Sequence, residues 1–168
     1  WDSFDHLIKE AEGEFLNFNY DKAIEIWKNY YEITAKQEYL NIIKELDNTW
    51  TAENFENIAS LQQLFNLYQS FRAKFNSKKI GHYTFQLYKK LLIKLYEQNF
   101  QSTAQNELTT ESGVFEYLVG NFQTAQSILT SVIESDHESI MARTHLGFTY
   151  LALKDQRQAI AILSHKIG

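Results

Sequence analysis

The segments GVFEYLVGNFQTAQSIL (113–129) and GFTYLALKDQRQAIAIL (147–163) decide the fold, because small, aromatic and large apolar residues recur in them in the same order, 34 residues apart. A third copy, AEGEFLNFNYDKAIEIW (11–27), has Ala11 and Ala23 at the two small positions, separated by the same 12 residues as in the other copies. Self-similarity at a fixed period is the signature of repeat architectures. The matched pairs of the last two copies are Gly113 with Gly147, Leu118 with Ala152, Ala125 with Ala159, and Leu129 with Leu163.

Close packing of helices explains why small residues recur. Two antiparallel helices approach to roughly 8–10 Å, and the closest contact requires small side chains at the crossing. Large residues in the adjoining turns fill the space on either side. One such hairpin cannot cover its own apolar face, so hairpins stack on each other. A generic helical bundle with chance spacing is the alternative, and three copies with one interval favour the repeat.

These residues resemble the tetratricopeptide repeat, a 34-residue helix–turn–helix unit with a small residue and an aromatic in its first helix and an alanine in its second. Glu116 departs from this pattern because an aromatic is usual there, and Tyr117 follows one place later. His137 and the absence of proline are further departures. The fitting residues are Leu146, Gly147, Tyr150, Ala159 and Leu163 in the last copy, Gly113, Gly120, Phe122, Ala125, Leu129 and Val132 in the preceding one, and Ala11, Tyr20, Ala23 and Trp27 in the first.

The resemblance implies an all-α fold: a tetratricopeptide-like α-solenoid of about nine antiparallel helices with an irregular central region, forming a single domain over residues 1–168. Repeat-like hairpins are expected over 4–35, 106–139 and 140–168, the last of them cut short. Residues 36–103 are expected to form irregular or degenerate helical pairs.

The centre of the chain keeps helical periodicity without the repeat. Thr51 is a favourable N-cap, and a long apolar stripe from Phe55 to Phe75 follows it, which predicts a helix of about six turns. Asn76, Ser77 and Gly81 predict a turn before a second helix. Tyr39, Ile42, Ile43 and Leu46 predict a shorter helix upstream.

Composition narrows the classes of function. The 168 residues contain no proline and 15% aromatics, and the net charge of −5 disfavours nucleic acid, which is bound by clustered Lys and Arg. The absence of cysteine excludes disulfides and thiolate chemistry. We interpret Trp1, which replaces an initial methionine, as a trimmed start, so a signal peptide or membrane anchor upstream is compatible with the sequence. The compartment, cytoplasmic or cell-envelope, stays open.

No motif in the chain predicts catalysis, a metal or a cofactor. The five histidines, which form no His-x-x-x-His or HExxH pair, are His6, His82, His137, His145 and His165. Gly-rich phosphate loops and a nucleophile elbow are missing, and the carboxylates are scattered as on a solvated face. We interpret the chain as a non-enzyme. A basic cluster around Gly81 fits an ordinary solvated face better than an acidic or lipid partner; it comprises Lys74, Lys78, Lys79, Lys89, Lys90 and Lys94.

The resemblance also implies a concave surface formed by the first helix of each repeat. Its apolar and aromatic character suits a helix or an extended apolar peptide. A carboxylate clamp is not expected, because the corresponding positions hold Thr110, Val114, Thr144 and Phe148, none of which is cationic. The candidate partner-binding residues are Ile8, Phe15, Val114, Tyr117, Leu118, Met141, Thr144, Phe148 and Leu151.

The sequence thus predicts a non-catalytic scaffold that binds another protein or peptide. The alternative is that Tyr117, Phe148 and Leu151 are core residues covered by the chain's own next helix. Two other functions stay open: a regulatory or accessory helical module of a larger enzyme, and a homo-oligomeric structural module.

Overall fold

The computed structural model describes residues 2–52, 55, 57–104 and 106–164. Within these ranges all regular structure is helical, as the sequence predicts. The short α6 has no apolar periodicity of its own, which explains why the sequence predicts nine helices where the described chain has ten. The helices are α1 (Asp2–Leu16), α2 (Tyr20–Thr34), α3 (Gln37–Ala52), α4 (Leu61–Asn76), α5 (His82–Asn99), α6 (Gln101–Ala104), α7 (Thr110–Val119), α8 (Phe122–Ser135), α9 (Ile140–Ala152) and α10 (Gln156–Leu163).

The predicted start of the long central helix is wrong. Thr51 belongs to the end of α3, and α4 begins only at Leu61. The side chain that serves its first turn is Ser60, whose Oγ accepts a hydrogen bond from the backbone N–H of Gln63 at 3.2 Å. Phe55 is buried although it lies between the two helices. The apolar spacing runs on through this connection, so periodicity alone does not reveal the break.

The described helices fall into two compact units. The first contains residues 1–59 and 66–94, and in it α1 packs against α2 and α2 against α3. The second contains residues 60–65 and 95–168. Here α7 packs against α8 and α9, α8 packs against α9, and α9 packs against α10.

Aromatic side chains build the core of the first unit. Tyr88 of α5 is fully buried, and its ring lies 5.2 Å from that of Phe15 and 4.5 Å from that of Phe71. Phe15 also contacts Trp27, at 6.2 Å between centroids and nearly perpendicular planes. The Tyr88 hydroxyl donates a hydrogen bond to the backbone carbonyl of Leu46 at 3.0 Å. Its ring can therefore lie in the core because its one polar atom is satisfied.

The glycines at the small positions of the predicted repeat lie at tight helix contacts, as predicted. A Cβ atom added to Gly113 would lie 2.5 Å from Leu129 Cδ2, and one added to Gly147 would lie 2.4 Å from Leu163 Cδ2. These two contacts join residues that match across the 34-residue spacing. The four alanines at the remaining small positions are almost completely buried: Ala11, Ala23, Ala125 and Ala159.

The turns inside the three repeat-like hairpins are built alike. The first helix of each hairpin is followed, one or two residues later, by a residue in the left-handed conformation: Phe18, Gly120 and Lys154. In each turn the next residue donates its backbone N–H five residues back along the chain, which is the Schellman pattern. Phe18 precedes Gly120 by three times the 34-residue period. The three bonds run from Asn19 N to Glu14 O (2.9 Å), from Asn121 N to Glu116 O (2.9 Å) and from Asp155 N to Tyr150 O (2.8 Å).

The centre of the chain uses the same turn outside the repeat register. Lys78 is left-handed, and Lys79 donates its N–H to the carbonyl of Lys74 at 2.8 Å, which confirms the turn predicted after Asn76. This turn follows Phe18 by 60 residues and precedes Gly120 by 42, so neither distance is a multiple of 34. The helices around it, α4 and α5, have 16 and 18 residues.

Candidate functional site

Partly exposed apolar side chains on two packed helices form the first candidate surface. We call it the α7/α9 face and define it by Tyr117, Met141, Thr144, Phe148 and Leu151. The rings of Tyr117 and Phe148 lie 6.0 Å apart, which links the two helices. Both rings are partly exposed, and Leu151 exposes 48% of its surface. The structure thus brings together five of the nine candidate binding residues.

The ring of His145 packs against the two aromatic rings of the α7/α9 face. It is completely buried, and its ring lies 5.8 Å from Tyr117 and 5.4 Å from Phe148. Its Nδ1 lies 2.9 Å from the carbonyl oxygen of Met141, one turn earlier in α9. Because a carbonyl oxygen only accepts, Nδ1 carries the hydrogen. His145 is therefore a packing residue that fixes the positions of the two exposed rings.

The other predicted binding residues lie elsewhere. Phe15 and Val114 have no exposed surface and belong to the cores of the two units. The helical period places them on the inner side of α1 and α7, so they offer nothing to a partner from the outside. Leu118 is half-buried in α7. Ile8 lines a separate cavity of the first unit.

Glu116 is the residue that the sequence pattern misjudges. It is completely buried in α7, at the place where the repeat pattern expects an aromatic. Its carboxylate accepts hydrogen bonds from the Tyr96 hydroxyl, from Gln101 Nε2 at 3.3 Å and from Asn121 Nδ2 at 3.0 Å. Burial, followed by the bond to Glu116, raises the pKa of Tyr96 well above its usual value, so this hydroxyl remains a donor. The three donors make a buried carboxylate tolerable in a helix core.

The first unit contains a half-open cavity of about 470 Å³. Three tyrosines, a tryptophan and two carboxylates dominate its walls, and one lysine contributes a positive charge. Helices α1, α2, α3 and α5 supply these residues. The lining residues are Ile8, Lys9, Glu12, Trp27, Tyr30, Glu38, Tyr39, Ile42 and Tyr83.

The tyrosines and the tryptophan of this cavity differ in their hydrogen bonding. The Tyr83 hydroxyl donates to Glu12 Oε2 at 2.7 Å, and burial together with this bond raises the pKa of Tyr83 well above its usual value. The Tyr39 hydroxyl makes a long hydrogen bond of 3.5 Å to the Tyr30 hydroxyl. Trp27 is fully buried, and its indole N–H makes no hydrogen bond with the described residues.

Three of the six lysines of the basic cluster are in contact with other groups of the chain or partly buried by them. Lys94 Nζ donates to the carbonyl oxygen of Leu16 at 2.8 Å and to Asn17 Oδ1 at 2.7 Å. The ammonium of Lys74 lies 5.7 Å from the ring centroid of Phe71, and burial lowers the pKa of Lys89. The partners of Lys74 and Lys94 belong to the first unit.

The described residues contain neither a cluster of metal ligands nor a membrane-spanning helix. No group of three His, Asp or Glu side chains among residues 2–52, 55, 57–104 and 106–164 is arranged to hold a metal ion. No helix within the same ranges combines the length and the apolar character needed to cross a membrane.

Comparison with known proteins does not assign a family. No protein-family model matches the chain, and neither a curated protein nor a solved structure matches it significantly. The relation to tetratricopeptide repeats is therefore a proposal that depends on the residues and the geometry described above.

Proposed function

We propose that the chain is a tetratricopeptide-like helical-repeat scaffold that binds another protein or peptide through the α7/α9 face and catalyses no reaction. The repeat is supported by the hairpin turns at Phe18, Gly120 and Lys154, which share one hydrogen-bond pattern in one register. It is also supported by the matched glycine–leucine contacts of the second unit. Such helical units commonly present extended binding surfaces.

One observation carries the binding proposal. Tyr117, Phe148 and Leu151 are large apolar residues that remain accessible on adjoining helices, and the two rings are in contact. Contiguous exposed apolar surface in a folded domain marks interaction sites more often than single exposed residues do. Aromatic side chains are moreover the groups most enriched among residues that dominate binding energy.

The chemistry of the face defines the partner. Leu151 and Phe148 lie three residues apart on α9, and Thr144 and Met141 continue the same side of the helix. This arrangement fits the apolar stripe of an amphipathic helix or the side chains of an extended apolar peptide. None of the five residues is charged, so we expect recognition by apolar side chains and not by a terminal carboxylate.

Site-specific photo-crosslinking tests this proposal in the organism that expresses the protein. A photoreactive phenylalanine analogue replaces Phe148 in one variant and Ile33 in a control variant. Ile33 is apolar and 55% exposed but belongs to the first unit. We expect one discrete heterologous adduct from position 148 and none of that mass from position 33. The same adducts from both positions would contradict the proposal.

A pair of charge substitutions measures the contribution of the face. Phe148→Glu places a carboxylate beside Tyr117, and Ile33→Glu makes the same change far from the face in sequence. With the photoreactive analogue now placed at position 117, we expect Phe148→Glu to abolish the adduct while its circular dichroism spectrum stays helical. Unfolding of Phe148→Glu, with Ile33→Glu unaffected, would show that Phe148 is a core residue and would overturn the assignment of this face.

A further inference from the structure

We infer that the cavity of the first unit is a binding site for an organic cation, an alkylammonium or a guanidinium group. This inference concerns α1, α2, α3 and the start of α5. It does not depend on the α7/α9 face, so it can fail or succeed independently of the proposed scaffold function.

Two of the aromatic rings that line the cavity form a corner. Tyr30 and Tyr39 lie 4.5 Å apart between centroids, with their planes at 83°. Two rings at right angles form a corner, and a cation placed in such a corner interacts with more than one ring. Tyr83 and Trp27 add two further aromatic side chains to the walls. Electron-rich aromatic cages of this composition are the known solution for binding quaternary ammonium groups in water.

Negative charges outnumber positive charges among the residues that line the cavity. Glu12 and Glu38 contribute two carboxylates to the lining, against the single ammonium of Lys9. Glu38 is exposed and makes no hydrogen bond or ion pair with the described residues. Glu12 accepts from Tyr83, and a carboxylate has further lone pairs for a ligand N–H. The walls are thus rich in acceptors and negative charge, which favours a cationic donor and disfavours an anion.

The size of the cavity suits a small organic ligand. A volume of about 470 Å³ falls within the range of roughly 300–1,000 Å³ that small-molecule sites occupy. It admits the trimethylammonium head of choline or the side chain of one lysine or arginine together with part of its backbone. A free amine and a basic side chain of a peptide share this chemistry, and the ligands tested below distinguish them.

Isothermal titration of the complete chain with choline tests the charge requirement directly. The matched ligand is 3,3-dimethylbutan-1-ol, which has the same shape and hydroxyl group but no charge. We expect choline to bind with a Kd of about 1 mM and the neutral alcohol to bind about tenfold more weakly. Equal binding of the two, or no heat from choline up to the solubility limit of the experiment, would overturn the inference.

Variants locate the binding to this cavity. Glu38→Gln removes an exposed carboxylate, and Glu32→Gln makes the same change on α2 at an exposed residue that does not line the cavity. We expect the first to weaken choline binding about three- to fivefold and the second to leave it unchanged. Lys9→Gln removes the competing positive charge and should strengthen binding about twofold. An equal effect of both Glu variants would indicate general surface electrostatics and contradict the site.

The aromatic corner is tested separately. Tyr39→Leu keeps an apolar side chain at a half-buried position but removes the ring, and it should weaken choline binding about tenfold. An unchanged circular dichroism spectrum and melting temperature show that the variant is folded. If folded Tyr39→Leu binds choline as the parent does, the cation does not occupy the corner and the inference fails.

Titration with the N-acetyl amides of lysine and arginine identifies the source of the cation. Binding at least tenfold tighter than that of choline assigns the cavity to a basic side chain of a peptide. Weaker binding assigns it to a free amine.

Discussion

Two hairpin turns of the molecule make the same side-chain hydrogen bond in opposite surroundings. In the α1–α2 turn, Asn19 Nδ2 donates to Glu14 Oε2 at 2.7 Å, and in the α7–α8 turn, Asn121 Nδ2 donates to Glu116 Oε1 at 3.0 Å. Glu14 is partly exposed and pairs with Lys22 at 3.4 Å. Glu116 has no exposed surface and receives two further donors.

The difference shows what local sequence controls and what it leaves to packing. The spacing of glutamate and asparagine across a turn suffices to form the bond in either place. Its importance for stability depends on the neighbours that exclude water, because a buried carboxylate without donors is costly while an exposed one is solvated. The same motif is thus a local cap in the first unit and the centre of a buried hydrogen-bond network in the second.

The largest expected effect comes from removing the two carboxylates in parallel. Glu116→Ala leaves the buried Tyr96 hydroxyl without its acceptor, which costs about 1–3 kcal/mol, and it opens a cavity at a completely buried position. The partly exposed Gln101 and the exposed Asn121 also lose their acceptor, but water can replace it. We expect Glu116→Ala to lower the free energy of unfolding by about 3 kcal/mol or more. Glu14→Ala should change it far less, because water replaces the lost bonds. Urea denaturation of both variants measures the difference, and equal losses would contradict the comparison.

A smaller effect is expected at the glycine contacts of the second unit. Gly113→Ala places a methyl group 2.5 Å from the buried Leu129 side chain, and Gly147→Ala places one 2.4 Å from Leu163, which is 44% exposed and free to shift. We expect a loss of about 1–3 kcal/mol for the first and a smaller loss for the second. In the first unit, Gly13 has open space around its Cβ position, so Gly13→Ala should raise stability by about 0.5–1 kcal/mol. Thermal melts of the three variants check this order, and a destabilising Gly13→Ala would show that the contact argument is incomplete.

The smallest effect concerns the titration of the exposed turn. The hydrogen bond from Asn19 holds the pKa of Glu14 below its usual value of 4.5, with Lys22 acting in the same direction. A depressed folded-state pKa stabilises the fold above the unfolded value, and the contribution is lost as the pH falls through the folded pKa. Carbon-detected NMR should give a midpoint for Glu14 below 4.5, and Asn19→Ala should raise it. A midpoint that Asn19→Ala leaves in place would mean that Asn19 does not control this carboxylate.

Short-range features of the fold are readable from the sequence. The 34-residue recurrence leads to the correct helix pairs in the second unit, and the small residues at its two fixed positions are buried as expected. Asn76 and Gly81 identify the central turn. The start of α4 is not readable in the same way, because Phe55 and Ile58 continue the apolar spacing of the helix that follows. Ser60 and Thr51 are both suitable N-cap residues, and the structure uses Ser60 in the first turn of α4.

The candidate sites are less readable because their residues come from distant parts of the chain. The Tyr83 hydroxyl meets Glu12 across 71 residues, and Tyr96 meets Glu116 across 20. No periodic pattern encodes such pairings. The helical period also identifies an apolar side without saying which neighbour covers it, so Phe15 and Phe148 look equivalent although only Phe148 is accessible. Glu116 was visible in the sequence as a departure from the repeat pattern, and that departure was the available signal.

The left-handed turn residues indicate positions at which a substitution could still raise the stability of the chain. Among the described residues, four turns have the Schellman pattern, and one of them has glycine, Gly120, at its left-handed position. The others have Phe18, Lys78 and Lys154, in a backbone conformation that costs an ordinary L-residue roughly 1–2 kcal/mol. With Ala35, which follows α2, the described residues include four non-glycine side chains in this conformation. These turns are therefore places where the chain retains room for thermostabilisation without any change to its core or to either candidate site.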